Sequence, residues 1–181
     1  TIYDGNKKGL LKESSVLKPS NPYGFTKLTI ENFLNNLCEL NSSDWKIISL
    51  RYFNPIGAHP SGLIGESPIG TPNNIFPYLC RVASGIYEKL HIFGNNWPTK
   101  DGTCIRDYIH IMDLANAHYK SLQFLEKSRG FDVFNIGTGN GYSVLELINT
   151  FEDVTGLEVP KCFAERRDGD SHSTYADPSK A

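Results

Sequence analysis

The chain has 181 residues, of which 39% are hydrophobic and 21% charged, with a formal net charge of −2. Such a composition is typical of a globular protein that buries one sizeable core or parts of two lobes. The slight acidity argues against the broad basic surface of a nucleic-acid-binding protein, and no apolar run approaches the roughly 20 residues that a membrane-spanning helix requires.

Cysteine and histidine spacing argues against a disulfide framework and a metal site. The four cysteines are widely separated, with no C-x-x-C pair, and the five histidines form no recognised ligand set. The triplet 41–43 matches a glycosylation acceptor, but this short pattern is common by chance. We therefore expect a cytoplasmic protein with reduced thiols, no metal, and neither nucleic acid nor membrane among its partners.

Two tyrosine–lysine pairs with a spacing of four residues occur near the start of the chain. Tyr3 and Lys7 are separated by the turn residues 4–6, which interrupt a helical face, so we interpret this pair as accidental. The second pair, Tyr23 and Lys27, lies in a segment with helix-forming signals.

That segment predicts an amphipathic helix. Asn21 is suited to cap its start and Pro22 to its first position, and apolar residues then recur with helical spacing at Ile30, Phe33, Leu34, Leu37 and Cys38. One helical turn would stack the Tyr23 phenol beside the Lys27 ammonium, and a nearby cation favours a phenolate able to accept a proton. The alternative is a tyrosine that packs its ring while the lysine extends into water.

Further along, strands and helices alternate. Residues 46–53 predict a buried strand, residues 57–72 a long loop, residues 75–86 a helix, and residues 90–93 and 105–111 two more strands. Asp113 is predicted to cap a helix that runs to about Leu125, and residues 132–136 predict a strand. Ser143 and Glu146 fit a capping box for a helix ending near Gly156, before a short strand at 159–163. This order predicts an α/β fold.

The glycine turn at residues 137–141 follows a predicted strand and precedes a helix, as a dinucleotide-binding turn would. Tyr142, however, stands where that pattern requires its third glycine, and the capping box already accounts for the turn. We reject the dinucleotide interpretation of this segment.

Several ordered motifs resemble those of the extended short-chain dehydrogenase/reductases, in particular the members that epimerise UDP-sugars at C4. They are SNPYG at 20–24 with Lys27, LRYFNP at 50–55, GAHPSG at 57–62, PNN at 72–74, IFG at 92–94, DGT at 101–103, RDYIH at 106–110 and RRDGD at 166–170. The resemblance extends over essentially the whole chain.

This resemblance implies a Rossmann-like NAD-binding fold, present as its C-terminal part, plus a smaller α/β substrate-binding lobe. Residues 1–54 would complete the cofactor domain, and residues 55–181 would mainly form the UDP-sugar-binding domain, with some chain exchange between the two. In the family, the glycine-rich NAD turn and a catalytic Ser or Thr lie upstream of the segment that matches Thr1. We therefore expect this chain to be a fragment that is inactive alone, from a protein that forms homodimers.

The resemblance also implies a reaction. Tyr23 would take the proton from the sugar O4 while hydride passes from C4 to NAD, and return of both to the opposite face would interconvert UDP-galactose and UDP-glucose. Lys27 would contact the nicotinamide ribose. The cofactor-binding residues implied are Tyr23, Lys27, Tyr52 and Phe53.

Substrate contacts follow from the same resemblance. Asn54 would contact the substrate, Asn73 and Asn74 the diphosphate, Leu90, His91 and Phe93 the uracil, Arg106 and Arg167 the phosphates, Asp170 a ribose hydroxyl, and Thr174 the sugar. A UDP-sugar needs such a local set of guanidinium groups and amides more than a widespread positive charge.

Two alternatives remain open at this point. One is another extended family member, such as a nucleotide-sugar dehydratase or decarboxylase, against which the insertion at 95–102 argues. The other is a noncatalytic UDP-sugar-binding module.

Overall fold

The computed structural model describes residues 2–5, 9–40 and 44–181, so that Thr1, Lys7 of the first tyrosine–lysine pair and the triplet 41–43 lie outside the described residues. The elements in chain order are α1 (Pro22–Leu40), β1 (Lys46–Tyr52), β2 (Asn54–Ile56), α2 (Ile75–Ala83), β3 (Leu90–Phe93), β4 (Ile105–Arg106), β5 (Tyr108–His110), α3 (Ile111–Leu125), β6 (Gly130–Ile136), β7 (Tyr142–Ser143), α4 (Val144–Thr155), β8 (Lys161–Ala164) and β9 (Ser173–Thr174). The predicted alternation of helices and strands is confirmed.

Parallel pairing dominates the strands. β1 and β6 pair along their whole length, from Lys46 opposite Gly130 to Tyr52 opposite Ile136. β2 pairs with β5 and β3 with β8, both in parallel. β4 lies between antiparallel β7 and parallel β9. Because parallel neighbours need long crossover connections, this pairing brings together residues that are far apart in sequence.

Local capping signals explain where α1 and α4 begin. The Asn21 side chain accepts a hydrogen bond from the Gly24 amide at 2.8 Å, as predicted. Ser143 and Glu146 form the predicted capping box of α4, and Gly156 ends that helix in a left-handed conformation with φ 69°.

The predicted start of α3 is wrong. The N-cap is His110, whose Nδ1 accepts a hydrogen bond from the Met112 amide at 3.2 Å. Asp113 lies instead in the first turn, where its carboxylate interacts favourably with the positive end of the helix dipole. A histidine ring nitrogen thus takes the role expected of the aspartate.

Helix α1 buries only part of the apolar stripe predicted for it, since Cys38 is buried and Leu34 and Leu37 are half-buried. Ile30 and Phe33 are 52% and 63% exposed, and the buried residues of α1 are Gly24, Glu31 and Cys38. The charged Glu31 therefore occupies the contact with the neighbouring strand β1, where it bonds Arg51.

The main apolar core lies between α2, β3 and α4. Its buried members are Leu79, Val82, Leu90, Ile92, Ile148 and Val159. A second cluster joins Ile109 of β5, Leu114 of α3 and Ile136 of β6. These two clusters attach the helices to the strands that lead to the site.

The glycine turn after β6 is held by the buried carboxylate of Asp107. One oxygen accepts from the Thr138 amide at 2.8 Å and its hydroxyl at 2.7 Å, and the other accepts from the amides of Gly139 and Ala176, both at 3.0 Å. A Cβ at Gly137 would lie 2.6 Å from the same carboxylate. The turn amides therefore bind a protein carboxylate, which agrees with the rejection of a dinucleotide turn.

Replacement of Asp107 by Asn should destabilise the protein by about 2–4 kcal/mol, because an amide NH₂ would face hydrogen-bond donors in a site that water does not reach. The free energy of unfolding in urea measures this change. The exposed Asp153→Asn is the matched control and should stay within about 0.5 kcal/mol. Equal effects of the two substitutions would contradict this role of Asp107.

Candidate active site

A cleft of about 530 Å³ opens between the start of α1, the end of β1 and the segment 167–174. Its lining includes these residues predicted for the site: Tyr23, Lys27, Tyr52, Phe53, Asn54, Arg106, Arg167, Asp170 and Thr174. The structure thus gathers the proposed proton-transfer pair and the proposed phosphate-binding residues around one cleft.

A direct contact joins the two sides of this cleft. The Ser20 hydroxyl donates to the Gly169 carbonyl oxygen at 2.8 Å, just before α1 begins. Gly169 has φ 81°, and a Cβ there would lie 3.3 Å from the Cβ of Asn21. Close approach and left-handed backbone both favour glycine at this position.

Tyr23 and Lys27 lie on adjacent turns of α1, with the Lys27 ammonium 5.1 Å from the centre of the Tyr23 ring. The Tyr23 side chain is not packed in the core, since it is 62% exposed and lines the cleft. The alternative in which the ring serves packing is therefore wrong. The Tyr23 side chain is accessible from the cleft.

Two arginines converge on one carboxylate at the opposite side of the cleft. Asp170 lies 3.6 Å from an Arg106 nitrogen and accepts a hydrogen bond from Arg167 Nε at 3.0 Å. Arg106 also donates to the carbonyl oxygens of Ile105 and Ser171, both at 2.9 Å. One carboxylate opposes two guanidinium groups, so a net positive charge remains for an anionic ligand.

The other predicted substrate residues do not line this cleft. Leu90 packs in the core at 1% exposure, and its amide donates to the Pro160 carbonyl oxygen at 2.7 Å. His91 Nδ1 lies 3.1 Å from the Tyr78 hydroxyl. Asn73 and Asn74 precede α2, away from the cleft lining. Phe93 reaches the cleft only through Arg167, whose guanidinium lies 4.7 Å from the ring centre.

A buried polar network behind the tyrosine–lysine pair was not predicted. Arg51 of β1 forms a two-pronged ion pair with Glu31 of α1, with Arg51 Nε 3.0 Å from one carboxylate oxygen and Nη2 bound to the other. Ser49 donates to the same carboxylate at 3.1 Å. The side chains of Arg51 and Glu31 are only 8% and 10% exposed. This ion pair is why a charged residue occupies the buried face of α1.

Tyr3 extends this network across the sheet. Its hydroxyl accepts from Arg51 at 2.8 Å and donates to the Asn135 side chain on β6. Burial raises the pKa of Tyr3, while the hydrogen bond from Arg51 opposes that change. Burial lowers the pKa of Arg51, but hydrogen bonds to Glu31 and Tyr3 outweigh it and raise that pKa. Tyr3 thus has a structural role. The sequence signal for this network was the presence of two polar residues, Ser49 and Arg51, on one face of an apolar strand.

Tyr108 was also missed. Tyr108 lies on β5 opposite Asn54 of β2, and its buried hydroxyl has no hydrogen-bond partner among the described residues. Burial raises the pKa of Tyr108 to about 12. Nothing in the sequence distinguishes this tyrosine from its neighbours.

Replacement of Tyr108 by Phe should leave the free energy of unfolding at neutral pH unchanged or raise it by about 1 kcal/mol, because it removes an unpartnered buried hydroxyl. The raised pKa means that the folded state holds this proton more tightly than the unfolded state does. The contribution of this titration to the free energy of unfolding is therefore complete below pH 10 and is lost as pH rises through about 12. Urea unfolding across that range should show a larger loss in the original protein than in the variant, because the raised pKa of Tyr3 leaves part of the loss in both.

The exposed Tyr119→Phe is the control for this measurement and should retain the alkaline loss. Destabilisation of the Tyr108 variant at neutral pH by more than about 1 kcal/mol would contradict an unpartnered hydroxyl.

Metal-ligand clusters and membrane helices are absent from the residues that the structure describes. No group of three or more His, Cys, Asp or Glu side chains there could hold a metal ion. None of the described helices is long and apolar enough to cross a bilayer.

The chain matches the model of the NAD dependent epimerase/dehydratase family over residues 1–137. It is 51% identical to UDP-glucose 4-epimerase of Bacillus subtilis, covering 100% of this chain and 53% of the relative. It is 48% identical to UDP-glucose 4-epimerase 2 of Arabidopsis thaliana, covering 100% and 52%. The chain thus spans about half the length of the curated relatives it matches.

Solved structures show the same likeness. UDP-glucose-4-epimerase of Stenotrophomonas maltophila, with bound NAD and formylated UDP-arabinopyranose, superposes with a TM-score of 0.94 at 46% identity, over 99% of this chain and 53% of that chain. The Bifidobacterium longum enzyme with NAD+ and UDP gives 0.95 at 42% identity, over 99% and 53%. The predicted α/β, Rossmann-like fold class is confirmed.

Proposed function

Since the chain belongs to the NAD dependent epimerase/dehydratase family, we propose that it forms the catalytic-tyrosine and substrate-binding part of a UDP-glucose 4-epimerase. The full-length protein would interconvert UDP-galactose and UDP-glucose with NAD. The observation that carries this proposal is the single cleft in which Tyr23 and Lys27 face Arg106, Arg167 and Asp170. Its relatives named above are epimerases, which favours this function over a dehydratase or decarboxylase.

Tyr23 would act as the acid and base at the sugar O4. Its exposure to the cleft gives a ligand hydroxyl direct access to the phenol oxygen, and the Lys27 ammonium lies 5.1 Å from the centre of the ring. The same oxygen would return the proton to O4 after the sugar presents its other face.

The residues near Tyr23 fit a nicotinamide cofactor. Tyr52 and Phe53 offer aromatic surface in the cleft, and the Lys27 ammonium, which has no ion pair among the described residues, is available to ribose hydroxyls. NAD would supply the acceptor and donor of hydride at C4. Tyr23, Lys27, Tyr52 and Phe53 would hold its nicotinamide end.

Arg106 and Arg167 would bind the diphosphate, because their shared carboxylate leaves positive charge uncompensated. Asp170 would accept a ribose hydroxyl, while Asn54 and Thr174 would contact the sugar from the cleft lining. The contacts proposed for Asn73, Asn74, Leu90, His91 and Phe93 require the ligand to extend beyond the cleft, along β3 and the start of α2. Leu90 itself is 1% exposed, and its amide is bonded to the Pro160 carbonyl oxygen.

We also propose that residues 1–54 complete the cofactor domain and that residues 55–181 mainly form the substrate domain. The pairing of β6 with β1 supports an exchange of chain back to the first domain.

The exposed apolar residues Phe25, Ile30 and Phe33 of α1 support a homodimer of the full-length protein. Sedimentation that detects only monomers would contradict the dimer.

Four free cysteines support a cytoplasmic location of the full-length protein. Recovery of a tagged full-length protein outside the cytosol would exclude this location.

Replacement of Tyr23 by Phe in the full-length protein should lower kcat by about 10²- to 10⁴-fold, because proton transfer at O4 loses its acid and base. UDP affinity, measured by calorimetry, should stay within about twofold because the phosphate contacts remain. Tyr119→Phe is the matched control with unchanged kcat. Near-normal turnover of the Tyr23 variant would overturn the proposed function.

Replacement of Arg106 or Arg167 by Gln should weaken UDP binding by about tenfold or more, since each change removes a charged phosphate contact. Uridine binding should change little because uridine carries no phosphate. The exposed Arg129→Gln serves as the control. Calorimetric titration that finds equal UDP affinity in all three variants and the original protein would exclude phosphate binding by these arginines.

A further inference from the structure

Three ionisable side chains lie on one face of α1 at intervals of four residues. Tyr23, Lys27 and Glu31 occupy successive turns, and all three line the cleft. A lysine and a glutamate four residues apart on a helix are close enough to form an ion pair. An ion pair between Glu31 and Lys27 would draw the ammonium one turn away from the phenol.

The structure shows a different pairing. Both oxygens of Glu31 are engaged by the Arg51 guanidinium, and Ser49 donates a further hydrogen bond to this carboxylate. Lys27 forms no ion pair among the described residues, and its ammonium lies over the Tyr23 ring. The side chains of Glu31 and Arg51 are nearly buried, so water does not compete effectively for the carboxylate.

We propose that Arg51 is a positioning residue that sequesters the Glu31 carboxylate and thereby reserves the Lys27 ammonium for Tyr23. Arg51 acts through Glu31 and Lys27 and needs no contact with substrate. This inference rests on the proposed function, in which Tyr23 transfers the proton at O4. It assigns to a residue of β1 control over the proton affinity of a phenol on α1.

The sign of the effect follows from charge. Glu31 and Arg51 together carry no net charge. Removal of the Arg51 charge leaves a carboxylate that attracts Lys27 and disfavours phenolate. Removal of the Glu31 charge leaves a cation that favours phenolate, and removal of both restores neutrality.

Other charged and titratable groups also face this cleft. Asp4 and Tyr3 lie on the N-terminal segment, Tyr52 at the end of β1, Arg106 on β4, and Arg167 and Asp170 on the segment before β9. All of them remain in each variant of the pair. Their contributions therefore cancel when the variants are compared with one another.

The test is a double-variant cycle in the full-length protein: the original, Arg51→Met, Glu31→Gln and the combined variant. NMR titration of tyrosines labelled with ¹³C at Cζ measures the pKa of Tyr23 directly, with the signal assigned by Tyr23→Phe. Arg51→Met should raise the Tyr23 pKa by about half a unit to one unit, for a charge roughly 12 Å along the helix. The combined variant should return it to the original value.

Several outcomes would overturn the inference. They are an unchanged Tyr23 pKa in folded Arg51→Met, a combined variant that keeps the raised pKa, and a Glu31→Gln variant with a raised pKa. Where Arg51→Met fails to fold, Glu31→Gln still decides, because the uncompensated Arg51 cation should lower the Tyr23 pKa, and an unchanged or raised value would overturn the inference. Arg51→Lys, which keeps the charge, should preserve the original pKa.

A purely structural role of the ion pair gives a different pattern. Loss of stability alone would lower the unfolding midpoint of each single variant and leave the Tyr23 titration in place. Tyr3→Phe provides this comparison, since it removes a hydrogen bond of Arg51 without uncovering Glu31. The acid limb of kcat/KM against pH should move with the NMR value.

Failure of the inference can be separated from failure of the proposed function. An inactive Tyr23→Phe variant combined with an unmoved Tyr23 titration in Arg51→Met rejects only the role of Arg51. An active Tyr23→Phe variant rejects the proposed function, while the titration still reports whether Arg51 controls the phenol.

Discussion

The buried ion pair between Glu31 and Arg51 fixes helix α1 on strand β1, and the positions of Tyr23 and Lys27 on that helix depend on it. Desolvation of two charges is costly and is offset only when geometry is good and further hydrogen bonds satisfy both groups. Both conditions hold here, since Ser49 donates to the carboxylate and the guanidinium reaches the Tyr3 hydroxyl and the Glu13 carbonyl oxygen. Tyr3 in turn bonds Asn135 of β6. A polar network thus ties helix, strand pair and N-terminal segment in one arrangement.

A second buried carboxylate organises the opposite side of the cleft. Asp107 binds amides of the turn after β6 and of the C-terminal segment, whereas the preceding residue, Arg106, faces the cleft. Successive residues of an extended chain point in opposite directions. One residue therefore anchors the backbone while its neighbour presents a cation to the cleft, so the geometry of the proposed phosphate site is tied to the integrity of the turn.

Local signals were sufficient for much of the fold. The strand Leu90–Phe93 and the Ser143 capping box depend on residues close in sequence, and both agree with prediction. The start of α3 was misplaced because the His110 ring nitrogen replaced the expected aspartate cap. Strands β2, β7 and β9 span two or three residues, too few to show a period. The Glu31–Arg51 pair and the unpartnered Tyr108 hydroxyl depend on tertiary contacts, which a single sequence does not reveal.

The distribution of charge in the cleft explains how a chain with net charge −2 can bind an anion. Lys27, Arg51, Arg106 and Arg167 line the cleft, with Asp4, Glu31 and Asp170 as its carboxylates. Glu31 is neutralised by Arg51, and Asp170 is shared by two arginines, so the local excess is positive. The low dielectric constant of the protein around the cleft strengthens such a local field. Charges farther away than a Debye length of about 8 Å are screened by physiological salt. The proposed binding of a diphosphate therefore depends on which carboxylates are already paired, and the overall acidity of the chain has little influence on it.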